Sequence, residues 1–102
     1  MNKMLFAPSS PSAITLAAGQ NLISIFFAIN PEKDVVGYNI YRTTDETLDK
    51  AKWELLTPEL LKTNTFQDSK AESGKKYFYY LTATDKAGNI SEPSETVSES
   101  LQ

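Results

Sequence analysis

With no His and no Cys among its 102 residues, the chain lacks the commonest general base, thiolate nucleophiles, disulfides and Cys-ligated zinc all at once. Carboxylates are then the groups left for acid–base chemistry. The closest sets are Glu32 with Asp34, and the trio Asp45, Glu46 and Asp49. Paired carboxylates hydrolyse glycosides when they face each other across a cleft. Here each set falls within one short loop with no opposing partner, so both read as solvated surface. Asp68 and Asp85 stand at strand ends, where a carboxylate accepts hydrogen bonds from turn backbone. No Asp-rich loop offers the six or more oxygens of a calcium site. The sequence therefore assigns no catalytic, cofactor-binding or metal-ligating residue, and predicts a protein that is not an enzyme and carries no cofactor.

The remaining chemistry lies in aromatic rings, and strands must position them. Ile23, Ile25, Phe27 and Ile29 recur at every second residue, with Ser24, Phe26 and Ala28 between them. That is the pattern of a half-buried strand. Asn30 to Asp34 breaks it, and Val35 to Thr43 resumes with Tyr38 and Ile40 on one side and Asn39 and Tyr41 on the other. Lys75 to Thr84 puts Tyr77, Tyr79, Leu81 and Ala83 on one face and Phe78, Tyr80, Thr82 and Thr84 on the other. Shorter strands are expected at Ile14–Leu16, Trp53–Leu55, Thr63–Gln67 and Ser91–Val97, the last at a sheet edge because it contains Pro93. Asp45 to Lys52 reads as a loop, and Asp85–Asn89 as a hairpin loop with Gly88 in the left-handed conformation. Thr57 to Lys62 is a turn whose Leu60 and Leu61 tuck under the sheet.

Seven strand candidates with no amphipathic helix predict an all-β fold, a seven-stranded antiparallel β-sandwich with Greek-key connections. One core is what this length supports, since such a chain buries roughly 60 to 70% of its unfolded surface. Hydrophobic residues at 40% and charged residues at 23% place it among globular proteins and away from disordered ones. The Pro- and Ser-containing stretch Pro8–Ser12 marks residues 1–11 as a leader or linker, 12–97 as the domain and 98–102 as a C-terminal tail without a core signal.

The net charge of −3, from 13 acidic and 10 basic side chains with Lys75–Lys76 as the one adjacent basic pair, argues against nucleic acid as a partner. Met4 to Ala7 is too short an apolar run for a signal peptide, and no run approaches a membrane span. A monomer without membrane insertion is expected.

Five segments in order resemble one family: Asp34–Arg42, then Trp53 and Leu55, then Thr65–Asp68, then Gly74–Tyr77, and finally Ala83–Ser91. Over about residues 12 to 97 the chain resembles the bacterial branch of fibronectin type III domains, which have an immunoglobulin-like sandwich. Tyr77 matches the tyrosine-corner position of that family, whose hydroxyl bonds to backbone a few residues upstream. Phe27 stands where the family has Trp. Ala71 stands where it has Leu, a smaller residue whose space Leu60 or Leu61 would fill.

The resemblance implies a non-catalytic spacer or protein-interaction module of a larger, secreted or cell-surface protein. It leaves two alternatives. One is a carbohydrate-binding unit using Tyr41, Phe78 and Tyr80, which the pairing of family strands places on one outward face. The other is a parent scaffold for engineered binders. For the three rings, stabilising cross-strand contact is the competing reading. Phe26 faces outward on the other sheet. The partner, whether protein or polysaccharide, is not written in the sequence.

Overall fold

The computed structural model describes residues 6–102, so the first five residues of the expected leader lie outside the described residues. Seven strands form two antiparallel sheets. The first sheet has the order β1-β2-β5, from Ser12–Gly19, Leu22–Ala28 and Thr65–Asp68. The second has the order β4-β3-β6-β7, from Glu54–Leu55, Val35–Thr43, Lys75–Asp85 and Val97–Leu101. The chain crosses between sheets after β2, β4 and β5, the Greek-key pattern expected from the sequence. A single 3-10 turn, Lys50–Lys52, is its only helical element among the described residues.

The alternating residues meet as their periodicity predicts. Ile23, Ile25 and Phe27 pack with Tyr38, Ile40, Tyr79, Leu81 and Ala83 in one buried core between the sheets. Burying such side chains is the main driving force for closing two sheets on each other. Phe27 fits where the family has a larger ring by packing edge-on against Tyr38, with ring centroids 4.7 Å apart at 72°. Ala71 is buried, and Leu61 packs against the same core. Gly37 makes that possible. A Cβ there would sit 2.7 Å from Cβ of Leu60 and 3.0 Å from the carbonyl oxygen of Leu61, whose backbone pairs with Tyr38.

Tyr77 makes the expected corner. Its hydroxyl accepts the backbone N–H of Glu72 at 2.8 Å, pinning the crossing from β5 to β6. The Asp85–Asn89 loop also matches: Asp85 accepts the N–H groups of Ala87 and Asn89 at 3.0 and 2.8 Å, and Gly88 has φ of 89°.

Two expectations fail at strand ends. The strand expected at Ile23–Ile29 stops at Ala28, leaving Ile29 66% exposed, because Pro31 and the loop turn the chain away. The final strand lies at Val97–Leu101, not Ser91–Val97, so residues expected as a tail belong to the sheet. Leu101 is 2% exposed and pairs with Lys75. Between Ser91 and Ser94 the chain still follows β6, with the N–H groups of Ser91 and Ser94 donating to the carbonyls of Ala83 and Leu81 at 2.8 and 2.9 Å, but Pro93 has no N–H and the regular ladder is interrupted. Serine hydroxyls take over. Oγ of Ser91 accepts the N–H of Ala83, and Oγ of Ser94 accepts that of Leu81, both at 2.9 Å. Each hydroxyl prevents a buried strand amide from going unpaired.

Leu101→Ala should therefore lower stability by about 2 to 5 kcal/mol, the cost of a cavity in a packed core. Denaturant unfolding monitored by Trp53 fluorescence measures it, and an unchanged midpoint would place residues 98–102 outside the fold.

Candidate functional site

β3 and β6 hold the outward aromatics in register, with Tyr41 directly opposite Tyr80 and Thr43 opposite Phe78. The rings of Tyr41 and Tyr80 stack at 4.7 Å and 13°. Trp53 joins them, tilted against Tyr80 at 5.1 Å. Tyr41 and Phe78 are half-buried, whereas Tyr80 and Trp53 are buried. The cover is the 45–52 loop. Trp53 Nε1–H donates to the carbonyl of Leu48 at 2.8 Å, the Tyr80 hydroxyl donates to the carbonyl of Lys50 at 3.2 Å, and Nζ of Lys50 lies over both rings. Burial, the nearby Tyr41 hydroxyl and Asp49 together push the Tyr80 phenol above its ordinary pKa. The surface is a clasp for a loop. A sugar platform needs free, level ring faces; here Tyr41 and Tyr80 stack on each other, in the row shared with Leu55 of β4.

The carboxylates occupy the roles of turn and cap residues. Asp45 accepts both the N–H and the hydroxyl of Thr47, at 3.0 and 2.6 Å, and these bonds hold its carboxyl below the usual range. Asp49 accepts the N–H of Ala51 and caps the 3-10 turn. The structure does not bring Asp45, Glu46 and Asp49 to one point as a metal site: among the described residues no group of three or more His, Cys, Asp or Glu could hold an ion.

Glu32 has a different task. Its carboxylate accepts the N–H of Ser9 at 2.9 Å, the Ser9 hydroxyl in a short bond, and Nδ2 of Asn30 at 3.0 Å. Asn30 also donates to the carbonyl of Ser9 at 2.7 Å and, through its N–H, to the hydroxyl of Tyr38 at 2.8 Å. Pro8 and Pro11 are buried. The incoming segment, which reads as a free linker in sequence, is thus fastened to the 30–34 loop. The Ser9 bonds, followed by that from Asn30, pull the Glu32 pKa down to about 2 against the opposing effect of burial. A cleft of about 530 Å³ lies beside it, lined by Phe6, Ala7, Pro8, Glu32, Lys33, Asp34 and Lys86.

Sequence reasoning missed the interior charges. Arg42 is in phase with Tyr38 and Ile40 and points inward, where its Nη1 reaches both oxygens of Asp68 at 3.0 and 2.9 Å. Nη2 meets Glu54 at 2.7 Å, and the guanidinium lies 4.9 Å from the ring centroid of Tyr77. Asp68 accepts the Tyr79 hydroxyl at 2.7 Å and, as expected of a turn carboxylate, the N–H of Lys70. Desolvation works against the Arg42 charge, but the bonds and charges of Glu54 and Asp68 outweigh it and raise its pKa. Burial, reinforced by Asp68, drives the Tyr79 phenol far above its ordinary value. The signal was the two-residue period, which places position 42 on the core face whatever its side chain.

Two sheets of three and four antiparallel strands, closed by a tyrosine corner, define a fibronectin type III sandwich. No family model matches the chain. A fibronectin-type-III-like protein from Clostridium thermocellum superposes with a TM-score of 0.78 over 95% of this chain and 94% of that one, at 19% identity. A β-1,2-glucanase from Parabacteroides distasonis matches with a TM-score of 0.75 and 29% identity over 93% of this chain but 13% of its own. The amylopullulanase of Thermoanaerobacterium saccharolyticum is 31% identical over 90 residues, 88% of this chain and 7% of that protein. That of Thermoanaerobacterium thermosulfurigenes is 30% identical over 87 residues, 4% of its length. The chain therefore spans a small part of the curated relatives it matches. The chain thus has the fibronectin type III fold, and its sequence is similar to short segments within much larger proteins.

Because the folded pKa of Glu32 lies below its ordinary value of 4.5, its contribution is complete above that value and is lost as pH falls toward about 2. In Glu32→Gln, which cannot ionise, this acid-dependent part of the unfolding profile should vanish. Urea midpoints across pH 2 to 6 check it; profiles of equal slope would mean that Ser9 does not hold the carboxylate.

Proposed function

We propose that this domain is a non-catalytic spacer and interaction module within a larger protein that is secreted or displayed at the cell surface. One observation carries the reading: the chain arrives at one pole and leaves at the other. Ser9 is tied to Asn30 and Glu32, on the loop that also meets Lys86 through the carbonyl of Asp34. Leu101 pairs with Lys75 and accepts the N–H of Gly74, at the opposite end of the 11-residue β6. That strand spans about 30 to 35 Å at the rise of an antiparallel strand.

A domain threaded from end to end separates whatever it joins. The fastened Pro8–Pro11 segment favours a stiff connection over a flexible one, because Pro restricts the backbone and the flanking bonds hold it in place. The amylopullulanase relatives support membership in a larger glucan-acting protein, and through it export from the cell. The polar carboxylates engaged in turns, and the charges engaged in the interior, support a role without chemistry of its own.

Head-to-tail repeats of one, two and three copies test the spacer reading by small-angle X-ray scattering. The maximum dimension should grow by about 30 to 40 Å per added copy, the length of one domain plus its fastened segment. Increments of half that size would mean that consecutive copies fold back on each other, and the reading would fall.

A further inference from the structure

β1 opens on an irregularity. Ser12 pairs with Ala28 and the next partners are Thr15 and Phe26, so β1 carries one extra residue there, and Ala13 takes a φ of 56°. A bulge leaves its extra residue unpaired and interrupts the ladder. β1 is also an edge strand, bonded to β2 alone. Tension drawn straight into β1 would meet the weakest end of an edge strand first.

The segment just upstream is fastened elsewhere. Ser9 donates its N–H and its hydroxyl to the Glu32 carboxylate, and its carbonyl accepts Nδ2 of Asn30. Two of these three bonds end on a charged acceptor, the stronger kind. Asn30 is itself anchored: it is buried, and its N–H donates to the hydroxyl of Tyr38 at 2.8 Å. Tyr38 lies inside β3, opposite Ala83 of β6 on one side and joined to Leu61 on the other by reciprocal backbone bonds of 2.9 and 2.8 Å. Beyond Glu32, the carbonyl of Asp34 accepts the N–H of Lys86 at 2.9 Å, which ties the same loop to the entry end of β6. With Ser9 held in this way, residues 10–29 form a closed side loop. β1 and β2 then lie off the direct route from the incoming segment to β3.

From β3 the route runs across the ladder to β6, in register from Val35–Asp85 to Thr43–Phe78, and from β6 to β7, which leaves at the opposite pole. Antiparallel ladder bonds lie perpendicular to their strands, so tension along the strands loads many of them together instead of one after another. We infer that the Ser9–Asn30–Glu32 clasp is a load-bearing joint, through which tension on the N-terminal segment enters the sandwich at β3 and bypasses β1. The inference rests on the reading of the domain as a spacer threaded from pole to pole, and adds that the spacer holds under tension.

Constant-force stretching of single molecules of the whole chain tests it. The chain has no cysteine, so introduced thiols define where force is applied. Ala7→Cys with Gln102→Cys pulls through the clasp, whereas Lys33→Cys with Gln102→Cys pulls on the 30–34 loop directly. Lifetimes under force report the unfolding rate. Glu32→Ala should shorten the lifetime roughly tenfold more when the pull is through Ala7 than when it is through Lys33, the effect of losing charge-assisted bonds in the loaded path. Ser9→Ala, which removes the hydroxyl alone, should act in the same direction to a smaller extent, and it replaces Glu32→Ala if circular dichroism shows that variant unfolded. Equal shortening in both geometries would show that the clasp stabilises the fold without bearing load. No shortening through Ala7 would mean that force enters at β1. Either result overturns the inference. The spacer reading fails separately, because scattering from tandem copies measures the distance between the poles whatever route tension takes.

Discussion

Asp68 is the one carboxylate that belongs to one sheet and is satisfied by the other. It lies on β5, yet both oxygens receive Nη1 of Arg42 from β3, and one receives the hydroxyl of Tyr79 from β6. At 2% exposure its charge is stable only while those donors are in place. The consequence is geometric. Apolar side chains alone would let two sheets slide by small steps, whereas a doubly contacted carboxylate has one satisfactory position. The same donors extend outward, with Arg42 meeting Glu54 on β4 and lying over the Tyr77 ring, so three strands of the second sheet, β3, β4 and β6, are referred to a single atom group. Near it, Tyr77 pins the crossing that leads into β6.

The rest of the polar chemistry follows the same logic of satisfying backbone and holding loops. Ser91 and Ser94 replace the carbonyl acceptors that an irregular, Pro-containing edge cannot provide. Asp85 closes the loop before that edge. Glu32 fastens the incoming segment, and the stacked Tyr41 and Tyr80 fasten the 45–52 loop. A domain built this way presents rigid poles and smooth faces.

How much of this was legible in the sequence depends on whether side-chain type and strand phase agreed. Where they agreed, as in Ile23, Ile25, Phe27 and in Tyr77, Tyr79, Leu81, the strands and their inner faces could be read directly. Where they conflicted, type prevailed over phase and misled. Arg42 looks like a surface residue, yet position 42 falls on the core side, and only the partner Asp68, 26 residues away, makes that affordable. Ser98, Glu99 and Ser100 hide the last strand, whose one core residue is Leu101. Ile29 continues the apolar alternation after the strand has ended. The cross-strand meeting of Tyr41, Phe78 and Tyr80 followed from register, but the cover over them did not, because a loop's path depends on hydrogen bonds such as that from Trp53 to Leu48.

The central claim is that the cross-sheet ion pair fixes how the two sheets sit on each other. A double-mutant cycle with Arg42→Met and Asp68→Asn, read by urea unfolding, tests it directly. Each single change should cost about 3 to 5 kcal/mol by leaving buried polar groups unmatched, and the double variant should cost about 2 kcal/mol or more less than their sum. Strictly additive costs would contradict the claim, because they would mean that the two residues stabilise the sandwich without acting on each other.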